Sequence, residues 1–298
     1  MRKLLTCMLM LGAIKSIGQS DSAIATVHYS FTHIIDTTQP DNPLTMKMVL
    51  YIGQNMSRYT IERTPPPATT PGAPSVAISD IQMGKLSAVS VGPGGISVTS
   101  GGVTMPVNLG KEFAYNNSYM KDISAGKLSF LTMPSITGKM FSVEEPIPTI
   151  DWTITTDIKE IGGMTCQKAT ARFRGRNYEA WFCSQLPYSN GPWKLGGLPG
   201  LILEAYDTKK EVMFKMTSFE NGGTVALDIP SSVIKTTPKE YKQYQEAMQR
   251  DREAGRANSM SAGASGVGVT RMTVEGRLIS PGGQPMKMRS NNNPIEKE

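Results

Sequence analysis

The chain has 298 residues, enough for one large domain or two ordinary ones with a substantial core. Hydrophobic residues make up 39%, and 29 Gly with 20 Pro mark a good share of the chain as loop. The formal net charge is +6, but the basic residues are scattered, which argues against a nucleic-acid footprint.

Residues 1–18 read as a signal peptide. Arg2 and Lys3 open it, Leu4 to Ile14 is apolar, and Ser16-Ile17-Gly18 places small residues ahead of a cut before Gln19. The apolar run is short of the roughly 20 residues a membrane-spanning helix needs. Cys7 lies too early in it to become a lipid-modified N-terminus. The expectation is a periplasmic or otherwise exported protein, not a lipoprotein, with no transmembrane segment after cleavage. Loss of Arg2, Lys3 and Lys15 lowers the net charge from +6 to +3. The remainder, 19–298, reads as a single β-rich domain.

Ala23–Phe31 and Thr45–Ile52 carry the β-branched and aromatic residues of strands, separated by the polar turn Thr37–Pro43. Between 64 and 110 the composition turns to Pro, then to Gly, Ser and Val. This predicts a long flexible insertion with one or two weak strands, chiefly Ile96–Thr99. Ser129–Met133, Lys139–Val143 and Asp151–Thr155 read as further strands.

Gly163 to Ser184 reads as a hairpin turning at Arg174-Gly175, in the register that sets Cys166 opposite Cys183. After leader cleavage these are the last two cysteines, and a disulfide is the default for such a pair in an oxidising compartment. A redox motif would want Cys-x-x-Cys, and zinc would want more ligands. The same register puts Ala169, Ala171 and Phe173 with Ala180 and Phe182 on a core face. Lys168, Thr170, Glu179, Trp181 and the disulfide fall on a solvated face.

The stretch Gly191-Pro192-Trp193-Lys194-Leu195-Gly196-Gly197-Leu198-Pro199-Gly200 then runs into the apolar strand Leu201–Leu203. Proline fixes φ and glycine admits φ > 0 or close approach, so this backbone has a set path. With Tyr178–Phe182 upstream, the hexapeptide GLPGLI resembles the signature of the GLPGLI family of exported bacterial proteins. The resemblance is strongest over Trp152–Phe219 and extends to the Asn-Pro-Ile-Glu segment at 293–296. It implies export and brings no established biochemical activity.

Leu201–Tyr206 and Glu211–Met216 form the next hairpin, with Leu201, Leu203 and Ala205 set against Met216, Phe214 and Val212. Thr237, Pro238 and Glu240 spell a capping box, predicting a helix over Thr237–Gly255 packed on the sheet. A second flexible insertion follows at 257–269, and Arg271–Ile279 reads as a last strand.

No arrangement of residues writes a reaction. His28 and His33 are five apart, on opposite faces of a regular strand, and suggest no shared metal. Ser124-Ala125-Gly126-Lys127 matches Ser-x-x-Lys by its ends alone, and Glu144-Glu145 point oppositely on a solvated edge. No phosphate loop is formed by the signature glycines, because a strand and not a helix follows. Methionine is frequent, at 19, and the pairs Met46/Met48, Met213/Met216 and Met286/Met288 would suit Cu(I) or fill a sheet core. The signature itself has two readings. Gly191, Pro192, Gly196, Gly197, Pro199 and Gly200 build a rigid corner, or Trp193, Leu195 and Leu198 stand on that corner as an exposed apolar lip for a ligand.

The expected fold is mainly β, a curved antiparallel sheet or open half-barrel with one packed helix. The expected function is non-enzymatic: an exported envelope protein that binds an apolar ligand or an envelope partner, with no cofactor. Methionine-based copper handling stands second, and an enzyme of unrecognised site third.

Overall fold

Burial alternates along β1 (Ala25–His33). Val27, Tyr29 and Phe31 are buried while His28, Ser30 and Thr32 are half-exposed, the period-two pattern of a strand with one face on a core. β1 lies in the middle of the sheet. The structure, a computed structural model, describes residues 21–62, 76–77, 88–92, 95–100, 103–108, 117–132, 140–261 and 292–297. The leader, the proline run at 65–74, the strand at 271–279 and the Met286/Met288 pair lie outside the described residues.

Two antiparallel meanders make the sheet. The first runs through β1, β2 (Leu44–Ile52), β3 (Met56–Ile61), β8 (Ser118–Asp122), β9 (Lys127–Leu131) and β10 (Phe141–Pro146). The second contains β11 (Thr153–Ile161), β12 (Met164–Phe173), β13 (Arg176–Cys183), β14 (Leu201–Asp207) and β15 (Val212–Asn221). They join where β1 pairs with β15, Ala25 opposite Asn221 and His33 opposite Val212. β16 (Ile234–Thr236) adds to β10 in parallel. The result is an open 12-stranded sheet in the order β11-β12-β13-β14-β15-β1-β2-β3-β8-β9-β10-β16.

Among its described residues the 64–110 region holds four short strands where one or two were expected: β4 (Val76–Ala77), β5 (Ala88–Gly92), β6 (Gly95–Ser100) and β7 (Val103–Asn108), ordered β4-β7-β6-β5. The expected Ile96–Thr99 falls within β6.

The β12–β13 register agrees with the sequence reading, Gln167 facing Phe182 and Ala169 facing Ala180. Its faces need correction. Cys166 and Cys183 are fully buried, and Trp181 is covered by the Lys159 ammonium, 4.5 Å from its ring centroid, with its Nε1 donating to Tyr206 at 3.3 Å. The neighbouring strands' long side chains roof a face that alternation alone assigns to water.

The β14–β15 hairpin also shifts. Ala205 faces Phe214 instead of Val212 because the Asp207 carboxylate accepts from Val212 N at 2.9 Å and moves the turn one residue on. The displacement is even in register, so the apolar side chains keep their face.

Helix α1 (Pro238–Ser261) begins as expected. Thr237 Oγ1 accepts from Glu240 N at 3.3 Å, and Glu240 accepts from Thr237 N at 2.9 Å. It continues past Gly255 into part of the expected insertion, since Arg, Ala and Met resume a helix that one glycine weakens by only about 1 kcal/mol. It meets the sheet at its first turns, where Tyr241 and Tyr244 pack on Phe141 of β10 with ring centroids at 5.5 and 4.7 Å.

The sheet is strongly curled. Phe173 of β12 and Lys121 of β8 both reach the loop 184–200, against Trp193 and Leu195 respectively. In a flat sheet the seven strand spacings between β12 and β8, at about 4.8 Å each, would hold them about 34 Å apart.

Candidate functional site

Residues 184–200 join two adjacent antiparallel strands that a tight turn would have served. The excess chain folds back over the concave face, and 190–195 is buried without interruption. Trp193 packs edge-on against Phe173 at 5.7 Å, lies 6.5 Å from Tyr178 and stacks on Phe214 at 6.3 Å with 12° between planes. Trp193 is 2% exposed, Leu195 0% and Leu198 1%. The exposed apolar lip is therefore absent. A loop fixed by Gly and Pro presents its large side chains to whatever lies beneath, and here that is the sheet's own interior.

The corner reading fits the glycines. Gly197 has φ 84° and Gly200 φ 153°, and an added Cβ at Gly200 would stand 2.3 Å from Cys183 O. At Gly191 it would meet Ile202 at 2.9 Å, so close packing and not φ requires glycine there. At Gly196 a Cβ would make only ordinary contacts, the nearest with Ser189 O at 3.5 Å; the Gly196 carbonyl accepts from Trp152 Nε1 at 2.9 Å. Pro192 is buried and Pro199 exposed. Trp193 itself sits at φ 55°, a conformation that costs a bulky residue about 1–2 kcal/mol.

Sequence reasoning missed the residue that clamps this loop. Lys121 on β8 is buried, and its ammonium donates to Asn190 Oδ1 at 2.8 Å, Gly191 O at 3.1 Å and Leu195 O at 2.5 Å. Burial pushes its pKa down to about 7 from 10.5. Between those values the unfolded chain holds a proton that the folded one has released, so this group makes stability rise with pH across the window. In Lys121→Met that climb should vanish, as unfolding midpoints measured between pH 7 and 10 would report; an unchanged climb would count against the assignment.

Charged residues close the rim above the loop. Glu145 of β10 accepts from Lys194 at 2.5 Å and from Arg174 of the β12–β13 turn at 3.0 Å, and Glu296 bonds the same two cations at 2.7 and 3.5 Å. These pairs tie strands near opposite ends of the sheet order. Glu144 instead pairs with Lys127 at 3.1 Å, so the adjacent glutamates do point apart, and both are half-buried and ion-paired. Tyr119 stands by this rim, and burial pushes its phenol up to about 12.

Cys166 and Cys183 are free thiols in the structure, not a disulfide. Burial pushes the Cys166 thiol up to about 12, and the adjacent Cys183 sulfur adds to that.

The remaining candidates are dispersed. His28 faces Glu62 at 3.1 Å, while His33 bonds Asn293 O at 2.8 Å. Ser124 donates to Asp122 at 2.7 Å and does not meet Lys127. Met48 and Met216 flank Tyr29 on neighbouring strands, within or against the core, as side chains that fill gaps. Among the described residues no group of three His, Cys, Asp or Glu could hold a metal ion, and no helix is long and apolar enough to cross a membrane.

One open cleft of about 630 Å³ lies where α1 leaves the sheet. Ala125, Gly126, Pro146 and the charged Lys127, Glu144, Lys235 and Glu240 line it.

A profile for the family described as "Protein of unknown function (Porph_ging)" matches residues 174–204, from the β12–β13 turn through the signature into β14. Comparison with curated proteins finds no match. Two solved structures of PNGF-II align with a TM-score of 0.46, at 12% and 11% identity. They cover 76% and 75% of this chain but only 33% and 32% of their own, so the chain spans about a third of their length.

Proposed function

We propose that the chain is an exported cell-envelope protein that acts by binding an envelope partner rather than by catalysis. The filled concavity carries this reading. The apolar surface that a small ligand would use is covered by the chain's own 190–195, and the open cleft beside α1 offers a partner an accessible surface. Lys127 and Lys235 against Glu144 and Glu240 give that cleft both signs of charge, which suits the mixed surface of another polypeptide.

The leader-like composition of residues 1–18 supports export. In an oxidising compartment Cys166 and Cys183 become a disulfide: the thiols give up two protons and two electrons to a disulfide-exchange protein, and a sulfur–sulfur bond forms. Closing the 16 residues between them contributes on the order of 3 kcal/mol on the chain-entropy account.

Cell fractionation with intact-mass measurement tests the first part. The exported chain should begin at Gln19 and weigh two hydrogens less than the dithiol. A chain that keeps residues 1–18 and two titratable thiols would overturn both export and disulfide. For the partner, a photo-crosslinking side chain at Lys235 should capture a discrete envelope protein, and one at the exposed Lys209 should not. Equal capture at the two positions would remove the cleft from consideration.

A further inference from the structure

The segment Asn292–Lys297 lies on the body of the protein as a bound peptide would, held by side chains chosen for it. Asn293 is 1% exposed and every polar group it has is used. Its N–H donates to Ile35 O at 3.1 Å and its side-chain amide to Ile34 O at 2.6 Å. Its carbonyl accepts from His33 Nε2 at 2.8 Å, and its Oδ1 from Arg176 Nη2 at 2.7 Å. Aspartate could not donate to Ile34 O, so the pocket reads the amide itself.

Arg176 continues along the segment, donating to Pro294 O at 2.7 Å and Ile295 O at 3.0 Å. Glu296 meets Lys194 and Arg174, and Lys297 donates from its backbone to Arg174 O at 2.9 Å. Gly175 makes the passage: a Cβ there would stand 2.5 Å from Lys297 O. On its other side Arg176 is fixed by Asp207 at 2.7 Å and Glu211 at 2.9 Å. Its charge thus stays paired when the segment leaves, which is what a preformed receptor needs.

The geometry points to a peptide-recognition groove, formed by 33–37, 174–176 and 211, whose ligand is an Asn-Pro-Ile-Glu-Lys segment. The chain supplies that ligand to itself, and a second copy can supply it in trans. Residues 262–291 separate the segment from α1, and thirty residues reach up to about 100 Å when extended. The groove and the cleft beside α1 are separate surfaces that meet at Glu145, which lines the cleft and pairs with the Arg174 and Lys194 that hold Glu296.

The test uses the full chain with a protease recognition sequence inserted between Gly268 and Val269, cut after folding. The segment should remain with the body on gel filtration. A fluorescent peptide of residues 290–297 should then displace it saturably, with native near-ultraviolet dichroism retained. A peptide carrying Asn293→Asp should enter at least roughly tenfold more weakly, because the amide donor to Ile34 O is replaced by a carboxylate oxygen that faces that carbonyl in a buried site. The uncut protein should take up little of either peptide. Three outcomes would overturn the proposal: unfolding on cleavage, no uptake at roughly millimolar peptide, or equal uptake of the two peptides.

Discussion

Gly200→Val should destabilise the protein by about 4–5 kcal/mol, enough to remove much of the stability of an ordinary domain. Two effects add. The backbone at φ 153° is one that side chains rarely adopt. The new Cβ would also run into the Cys183–Ser184 peptide, 2.3 Å from Cys183 O, 2.6 Å from its carbon and 2.9 Å from Ser184 N. Backbone cannot rotate away as a side chain can, so β13 and β14 must separate where Cys183 faces Leu201. Gly197→Ala is the control. It has positive φ but open space around it, and should cost only about 1 kcal/mol. Denaturant unfolding of both variants checks the pair, and a Gly200→Val protein within 1 kcal/mol of the parent would refute the corner.

Trp193→Ala should cost about 3–5 kcal/mol, since the indole fills the space between Phe173, Tyr178 and Phe214. Trp193→Gly should cost about 1 kcal/mol less. Elsewhere glycine is the worse replacement, but at φ 55° it relieves a conformation that alanine still finds strained. The reversed order reports the positive φ, and the size of the two losses reports the burial. If both variants unfold at the parent's denaturant midpoint, the buried placement of the loop is wrong.

The extent to which these features could be read from sequence follows from how many constraints met at each. Two independent signals, the cysteine positions and the alternating alanines, agreed on one β12–β13 register, and the structure has it. One signal fixed the β14–β15 register, apolar pairing, and it is blind to a shift of two; the Asp207 carboxylate decided the turn. The capping box wrote the start of α1, but a lone glycine is a poor stop, so its end was missed. At the signature, Gly and Pro described a backbone path and said nothing of what lay under it. Lys121 was hidden by its own chemistry. A lysine in a strand reads as solvent-facing, and only the fold shows three acceptors gathered around it. Arg176 and Asn293, 117 residues apart, share no pattern that a single sequence displays.

The junction of the two meanders has a consequence for how the chain reaches its fold. β1 is made early, and its first edge is filled by β2 within a few dozen residues. Its second edge waits for β15, whose Asn221 sits opposite Ala25. Closing that loop, with β2 to β14 inside it, is the slow kind of contact, since the entropy is lost before any pairing compensates. Until then β1 presents a row of free N–H and C=O groups flanked by Val27, Tyr29 and Phe31, an edge that a second nascent chain can fill as readily as β15. Holding residues 25–33 away from other copies is therefore a task for the cell before it is one for the fold.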